Sequence, residues 1–205
     1  MGFGIWDLGS GILKLIVGIT GATGTIYGIR LLERLRGAGV ETHLVISRWG
    51  ARTLLHETPY SREQVESLAS AVYRPADMGA TISSGSFKTD GMIIAPCSAK
   101  TLAAIAHGVG ENLVHRAADV VLKERRRLVL VVREAPLSDI HLENMLKLSR
   151  MGAVMLPPMP AFYNRPRTVD DIVEHTVSRV LDQFGLDVAG AERWSGEMGV
   201  GQEVD

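Results

Sequence analysis

Short apolar runs and helix-period segments take turns along this chain. Leu15, Ile16, Val17 and Ile19 form a run of the kind a strand shows when both of its faces are covered. Gly21 and Gly24 interrupt it beside Thr20, Thr23 and Thr25. Ile26, Ile29, Leu32 and Leu35 then follow at helical spacing, so strand, glycine turn and helix are predicted in succession. The alternation recurs. A strand over 41–47 ends in Ser47, which is placed to cap a helix over 48–55, and Ser61 with Gln64 makes a capping-box signal for a helix to about residue 71. After a small, hydroxylic loop over 82–91 come a buried strand closed by Pro96, a helix opened by Ser98, and a helix over 112–127. A strand over 128–132, a helix over 141–150 and a strand over 152–156 follow. A proline-punctuated loop then presents Tyr163, and Thr168 with Asp171 starts a last helix that stops at Gly185. Buried strands alternating with helices predict an α/β fold, a doubly wound parallel sheet in three layers.

At 205 residues and 46% hydrophobic, the chain suits one domain with a substantial core, expected over 14–186, with an N-terminal extension over 1–13 and a tail over 187–205 anchored by Trp194. Lysine plus arginine (22) nearly balance aspartate plus glutamate (23), which gives no electrostatic footprint for nucleic acid or an acidic membrane. The apolar runs are strand-sized, far short of a bilayer span. One cysteine makes no internal disulfide, which fits a reducing cytoplasm. Residues 1–13 lack the positive region and cleavage site of a secretory signal, and Trp6 stands where a myristoylation motif wants Ser or Thr.

The glycine turn after the first strand is expected to leave backbone N–H groups open to a phosphate or a polar ring edge. It does not match the dinucleotide fingerprint, because Ile19 replaces the first glycine, and no GK[ST] follows as in a P-loop. Ser47 and the Ser98–Thr101 stretch fall at carboxyl ends of predicted strands, where open parallel sheets bind ligands. Arg133 and Glu134 follow an apolar strand directly, a place that usually excludes charge unless it is paired or used. Arg116 and Lys123, seven residues apart, share one side of their helix and can meet a phosphate, although a basic last turn also answers the helix dipole. Cys97 has no acid–histidine pair in view, and the six histidines show no HxxxH spacing, so neither a thiol nucleophile nor a metal site is expected.

Together GITGATG, SSGSFKTDGM, PCSAKTL, RAADVVLKE, VVREAPL, HLENM and PPMPAFYNRP, spread from Lys14 to Trp194, make a specific set. On them the chain resembles the UbiX flavin prenyltransferases, including the aromatic-acid branch that keeps the older name phenylacrylic acid decarboxylase. The resemblance implies a flavodoxin/Rossmann-like fold in a trimer-based homododecamer, with no metal. It implies transfer of a dimethylallyl group from dimethylallyl phosphate to N5 and C6 of reduced FMN, the prenylated FMN passing to a UbiD-type decarboxylase. By motif it places Gly21, Ala22, Thr23, Ser47, Ser98, Ala99, Lys100, Thr101 and Arg133 on FMN, Thr23 standing where many members have Ser. It places Arg116, Lys123, Glu134, Tyr163 and Arg179 on the prenyl phosphate. Glu57 and Trp194 complete the pocket, partly across subunits, and Glu134, Thr23, Glu57 and Lys123 form the catalytic set. Two other readings stand beside it: a flavin-dependent cysteine decarboxylase, whose PxMNxxMW segment is replaced here by PAFYNRP, and a non-catalytic FMN carrier.

Overall fold

The computed structural model describes residues 12–187. Six strands, β1 (Lys14–Ile19), β2 (Glu41–Ile46), β3 (Ala71–Tyr73), β4 (Gly91–Cys97), β5 (Arg127–Val132) and β6 (Val154–Met155), pair in parallel in the order β3-β2-β1-β4-β5-β6. Period-two alternation divides each inner strand between two buried faces. Leu15, Val17 and Ile19 of β1, with Ile93 of β4 and Val129 of β5, pack under α1 (Thr25–Gly37), α2 (Arg48–Glu57), α3 (Arg62–Glu66) and α7 (Val169–Asp182). Ile16, Met92, Ile94, Leu128 and Leu130 face α4 (Ala99–Ala106), α5 (Leu113–Lys123) and α6 (Asp139–Arg150). The expected three-layer, doubly wound sheet is the one observed, and its two cores explain why the strands read as nearly continuous apolar runs. Each fully buried Leu or Ile contributes about 1.5–3 kcal/mol relative to exposure.

The helix expected to reach about residue 71 stops at Glu66, and Ala71–Tyr73 is an edge strand instead. Thr42 and Ser70 exchange reciprocal backbone-to-hydroxyl hydrogen bonds (3.1 and 3.2 Å), which lay the next residues along β2 with His43 opposite Ala71. The helix expected over 112–127 stops at Lys123. Arg125 takes a left-handed conformation (φ 57°), Arg126 N–H bonds back to the Val121 carbonyl (2.9 Å), and Arg127 is already in β5. The strand expected over 152–156 shortens to Val154–Met155.

The directions of two helices decide where their cations lie. α7 descends beside α1, with Asp170 and Glu174 facing Arg30 (3.8 and 3.7 Å) and Glu174 bound by Arg34 (2.9 Å). It ends at the amino edge of the sheet, where the Arg127 guanidinium donates to the Gln183 carbonyl. α5 starts past the carboxyl end of β3, where Leu113 N–H meets the Pro75 carbonyl (2.8 Å), and it too finishes toward the amino edge.

Candidate active site

Strand order reverses between β1 and β4, so the crevice outside their carboxyl ends is the place where a doubly wound sheet offers a ligand site. Thr20, fully buried, ties the two strand ends together. Its hydroxyl and its N–H both donate to the Pro96 carbonyl (2.7 and 3.2 Å), and the hydroxyl oxygen accepts from Ser98 N–H (2.9 Å). Ser47 N–H donates to the Ile19 carbonyl (2.9 Å) and Arg133 N–H to the Cys97 carbonyl (3.1 Å), so the ends of β2, β1, β4 and β5 form one hydrogen-bonded rim. Gly21 lies against Trp49, whose Cβ leaves no room for a side chain at position 21. The Trp49 indole itself is 64% exposed above the turn, with Arg52 over its ring at 4.9 Å.

Three helices begin on this rim. Ser47 caps α2 by accepting from Gly50 N–H (3.0 Å), and Ser98 caps α4 by accepting from Thr101 N–H (3.3 Å) while its hydroxyl donates to Thr101 Oγ1 (3.1 Å). The start of α1 differs from expectation. Its N–H groups are not all open, because Glu57, at the end of α2, reaches over and accepts from the N–H groups of Gly24 (2.9 Å) and Thr25 (3.1 Å) and from the Thr25 hydroxyl (3.1 Å). Partial burial pushes the Glu57 carboxyl up. Hydrogen bonds from the Thr23 side chain, the two amides and the Thr25 hydroxyl outweigh this and hold it below the ordinary carboxylate range. Glu57 is thus a carboxylate cap for the start of α1. The contact spans 33 positions, so no local signal announces it.

Arg133 and Glu134 stand exposed just past β5 on the same rim, and Glu134 Oε1 accepts from Ala135 N–H (3.1 Å). Lys100 projects outward to pair with Glu111 (3.1 Å). Cys97 is buried, and desolvation pushes its thiol up to about 12, which leaves it inert at neutral pH. Of the residues expected around the prenyl phosphate, Glu134 lies on the rim, whereas Lys123 and Arg179 are in the last turns of helices that run toward the amino edge. Arg116 sits on the outer flank of α5, with Nε donating to the Ser83 carbonyl (3.1 Å) and Nη1 to Asp119 (2.7 Å); Lys123, at the end of α5, pairs with Glu124. Arg179 is on α7, on the opposite face of the sheet, paired with Asp182 (2.8 Å) near the amino edge. The Tyr163 ring meets His175 of α7 edge-on at 5.7 Å. Trp194 lies outside the described residues, as do 1–11 and 188–205. Among the described residues no three histidine, cysteine or acidic side chains group as a metal site requires, and no helix is long and apolar enough to cross a membrane.

The rim therefore offers neutral hydroxyl donors, two helix N-termini and one guanidinium, a donor set suited to a phosphate and a polar ring edge. Sequence alone does not single out Thr20 as part of this site; the signal that could find it is its position at the end of the first buried run, directly before Gly21.

The model of the Flavoprotein family matches residues 9–181. A probable UbiX-like flavin prenyltransferase of Bacillus subtilis is 60% identical over 188 residues, covering 92% of both chains. One of Escherichia coli O157:H7 is 65% identical over 185 residues, covering 90% of this chain and 94% of the relative. Two crystal structures superpose closely. A dodecameric FMN-dependent UbiX-like decarboxylase from E. coli O157:H7 has 65% identity and a TM-score of 0.89, covering 90% of this chain and all of that one. AnUbiX (PadA1) in complex with FMN and dimethylallyl pyrophosphate has 52% identity and a TM-score of 0.90, covering 91% and all respectively. The chain is a flavoprotein-family enzyme and belongs to the UbiX flavin prenyltransferases.

Proposed function

We propose that this chain transfers a dimethylallyl group from dimethylallyl phosphate to N5 and C6 of reduced FMN, for use by a UbiD-type decarboxylase. The observation that carries the reading is the rim at the β1/β4 switch point, where hydroxyls, helix N-termini, Arg133 and Glu134 converge in a family member. Gly21 to Thr23, Ser47, Ser98 to Thr101 and Arg133 would hold FMN, which supplies an electron-rich acceptor ring when bound. Thr23, exposed beside Glu57, would turn its hydroxyl to the flavin ring. Arg116, Lys123, Tyr163 and Arg179 receive the prenyl phosphate; the positive charge of the two arginines and the lysine and the tyrosine hydroxyl favour the breaking C–O bond as charge builds on the departing phosphate. Glu134 moves the proton that the bond-forming steps release, acting with that phosphate.

Because Arg179 lies toward the amino edge and Glu134 on the carboxyl rim, a complete site is assembled from more than one copy. Large apolar side chains left open on one copy support this: Ile140 is 67% exposed and Phe162 72%. The FMN-dependent cysteine decarboxylases among solved structures share 17–18% identity with TM-scores of 0.57–0.59, a likeness of fold alone.

The test is anaerobic incubation of the protein with reduced FMN and dimethylallyl phosphate, followed by mass spectrometry of the flavin and assay of free phosphate. A flavin heavier by one isoprenyl unit, with phosphate released in equal amount, is expected. An unchanged flavin mass would contradict the reading and favour an FMN carrier.

A further inference from the structure

The serine- and glycine-rich loop between β3 and β4 is held by two arginines. Arg116 Nε donates to the Ser83 carbonyl (3.1 Å). Arg126 spends its planar fork on three acceptors of the loop: Nη2 on the Gly85 carbonyl (2.7 Å), and Nη1 on the Phe87 carbonyl (2.8 Å) and the Thr89 hydroxyl (3.4 Å). A lysine at 126 carries one ammonium and cannot reproduce that fork. Lys123 and Glu124 rest against the loop so fixed. A Cβ built at Gly85 would stand 2.7 Å from Lys123 Nζ and closer still to the Glu124 carboxylate, so a side chain at 85 would push these two flexible side-chain ends from their present place. Lys123 is ion-paired to Glu124, whose carboxyl is held below its ordinary value first by that hydrogen bond and then by the charges of Lys123 and Arg126. A lysine side chain has four rotatable bonds and about 2 kcal/mol of rotamer entropy. Here it is confined on one side by a carboxylate and on another by pinned backbone.

We propose that Gly85, Glu124 and Arg126 are positioning residues that fix the Lys123 ammonium for the incoming prenyl phosphate. This rests on the assignment of Lys123 to that phosphate. None of the three need touch substrate; they act through Lys123, so their effects vanish when Lys123 is absent.

The test measures inhibition by inorganic phosphate and KM for dimethylallyl phosphate, alongside FMN affinity by flavin titration, in Gly85→Ala, Glu124→Gln, Arg126→Ala, Arg126→Lys and Lys123→Ala, and in Gly85→Ala combined with Lys123→Ala. Gly85→Ala, which displaces the pair without altering any charge, is expected to weaken phosphate inhibition and raise this KM by about tenfold, as a displacement near 1 Å can. FMN affinity stays within about twofold, because charges and hydroxyls on the rim are untouched. Glu124→Gln and Arg126→Ala act in the same direction, Arg126→Lys recovers part of the loss, and Gly85→Ala adds nothing once Lys123 is alanine. If Lys123→Ala is effective but Gly85→Ala is silent, or the two effects add in full, the positioning role is overturned. If Lys123→Ala leaves phosphate inhibition unchanged, the underlying assignment of Lys123 fails, and the positioning role with it.

Discussion

Replacing Glu134 by glutamine is expected to lower prenylation turnover by about two to four orders of magnitude, the usual worth of a positioned acid–base group, while FMN still binds. The substitution is conservative here. Glu134 Oε1 accepts from Ala135 N–H at 3.1 Å, and the glutamine carbonyl accepts the same bond, so the backbone after β5 keeps its course. What is lost is the capacity to take up and return a proton, together with the carboxylate's negative charge. Single-turnover measurement of flavin mass, with FMN affinity measured in parallel, separates chemistry from binding. Wild-type turnover in this variant would remove Glu134 from the mechanism.

Thr20→Val is expected to cost about 1–3 kcal/mol of stability and to weaken FMN binding at least about tenfold. Valine keeps the shape and removes the hydroxyl. The Pro96 carbonyl retains Thr20 N–H as a partner, but Ser98 N–H loses the hydroxyl that accepts from it at the carboxyl end of β4. An orphaned N–H in a rim this close to the core must turn or draw in water, and Ser98, which caps α4, turns with it. Urea unfolding at fixed protein concentration and FMN titration read the two effects, with Thr20→Ser, which keeps the hydroxyl, as the control that restores both. Unchanged FMN affinity in Thr20→Val would show that the β1–β4 tie does not shape the site.

The sheet and its helices are readable in the sequence because each inner strand is buried on two faces and therefore apolar at nearly every position, while Ser47, Ser98, Ser61 and Thr168 mark helix starts by local chemistry. β3 is not, because three half-exposed residues carry almost no pattern and the Thr42–Ser70 pair that docks them joins positions 28 apart. The rim of the site is legible for the same reason as the strands: residues that end buried runs lie at one edge. Glu57 as the cap of α1 is not legible from its surroundings, since the bond depends on how α2 returns over the turn. Nor is the separation of Arg179 and Lys123 from Glu134. Their helices run back toward the amino edge, so residues proposed to act together are divided between the two ends of the sheet, and local sequence carries no sign of that division.

That division makes the sharing of the site between copies the claim on which the mechanism turns. β5 alone rises roughly 20 Å at 3.3 Å per residue, with Glu134 past its carboxyl end and Arg179 one helical turn before Gln183 at its amino end, so the proposed site takes the two residues from different copies. The direct measurement is activity in mixed oligomers made by co-expressing Glu134→Gln with Arg179→Ala, each inactive by itself. If the two residues of a site come from different copies, random equal mixing restores about a quarter of the sites and a matching fraction of prenylated flavin. If mixed oligomers are as inactive as either parent, each site draws both residues from a single chain, and the shared-site mechanism is wrong.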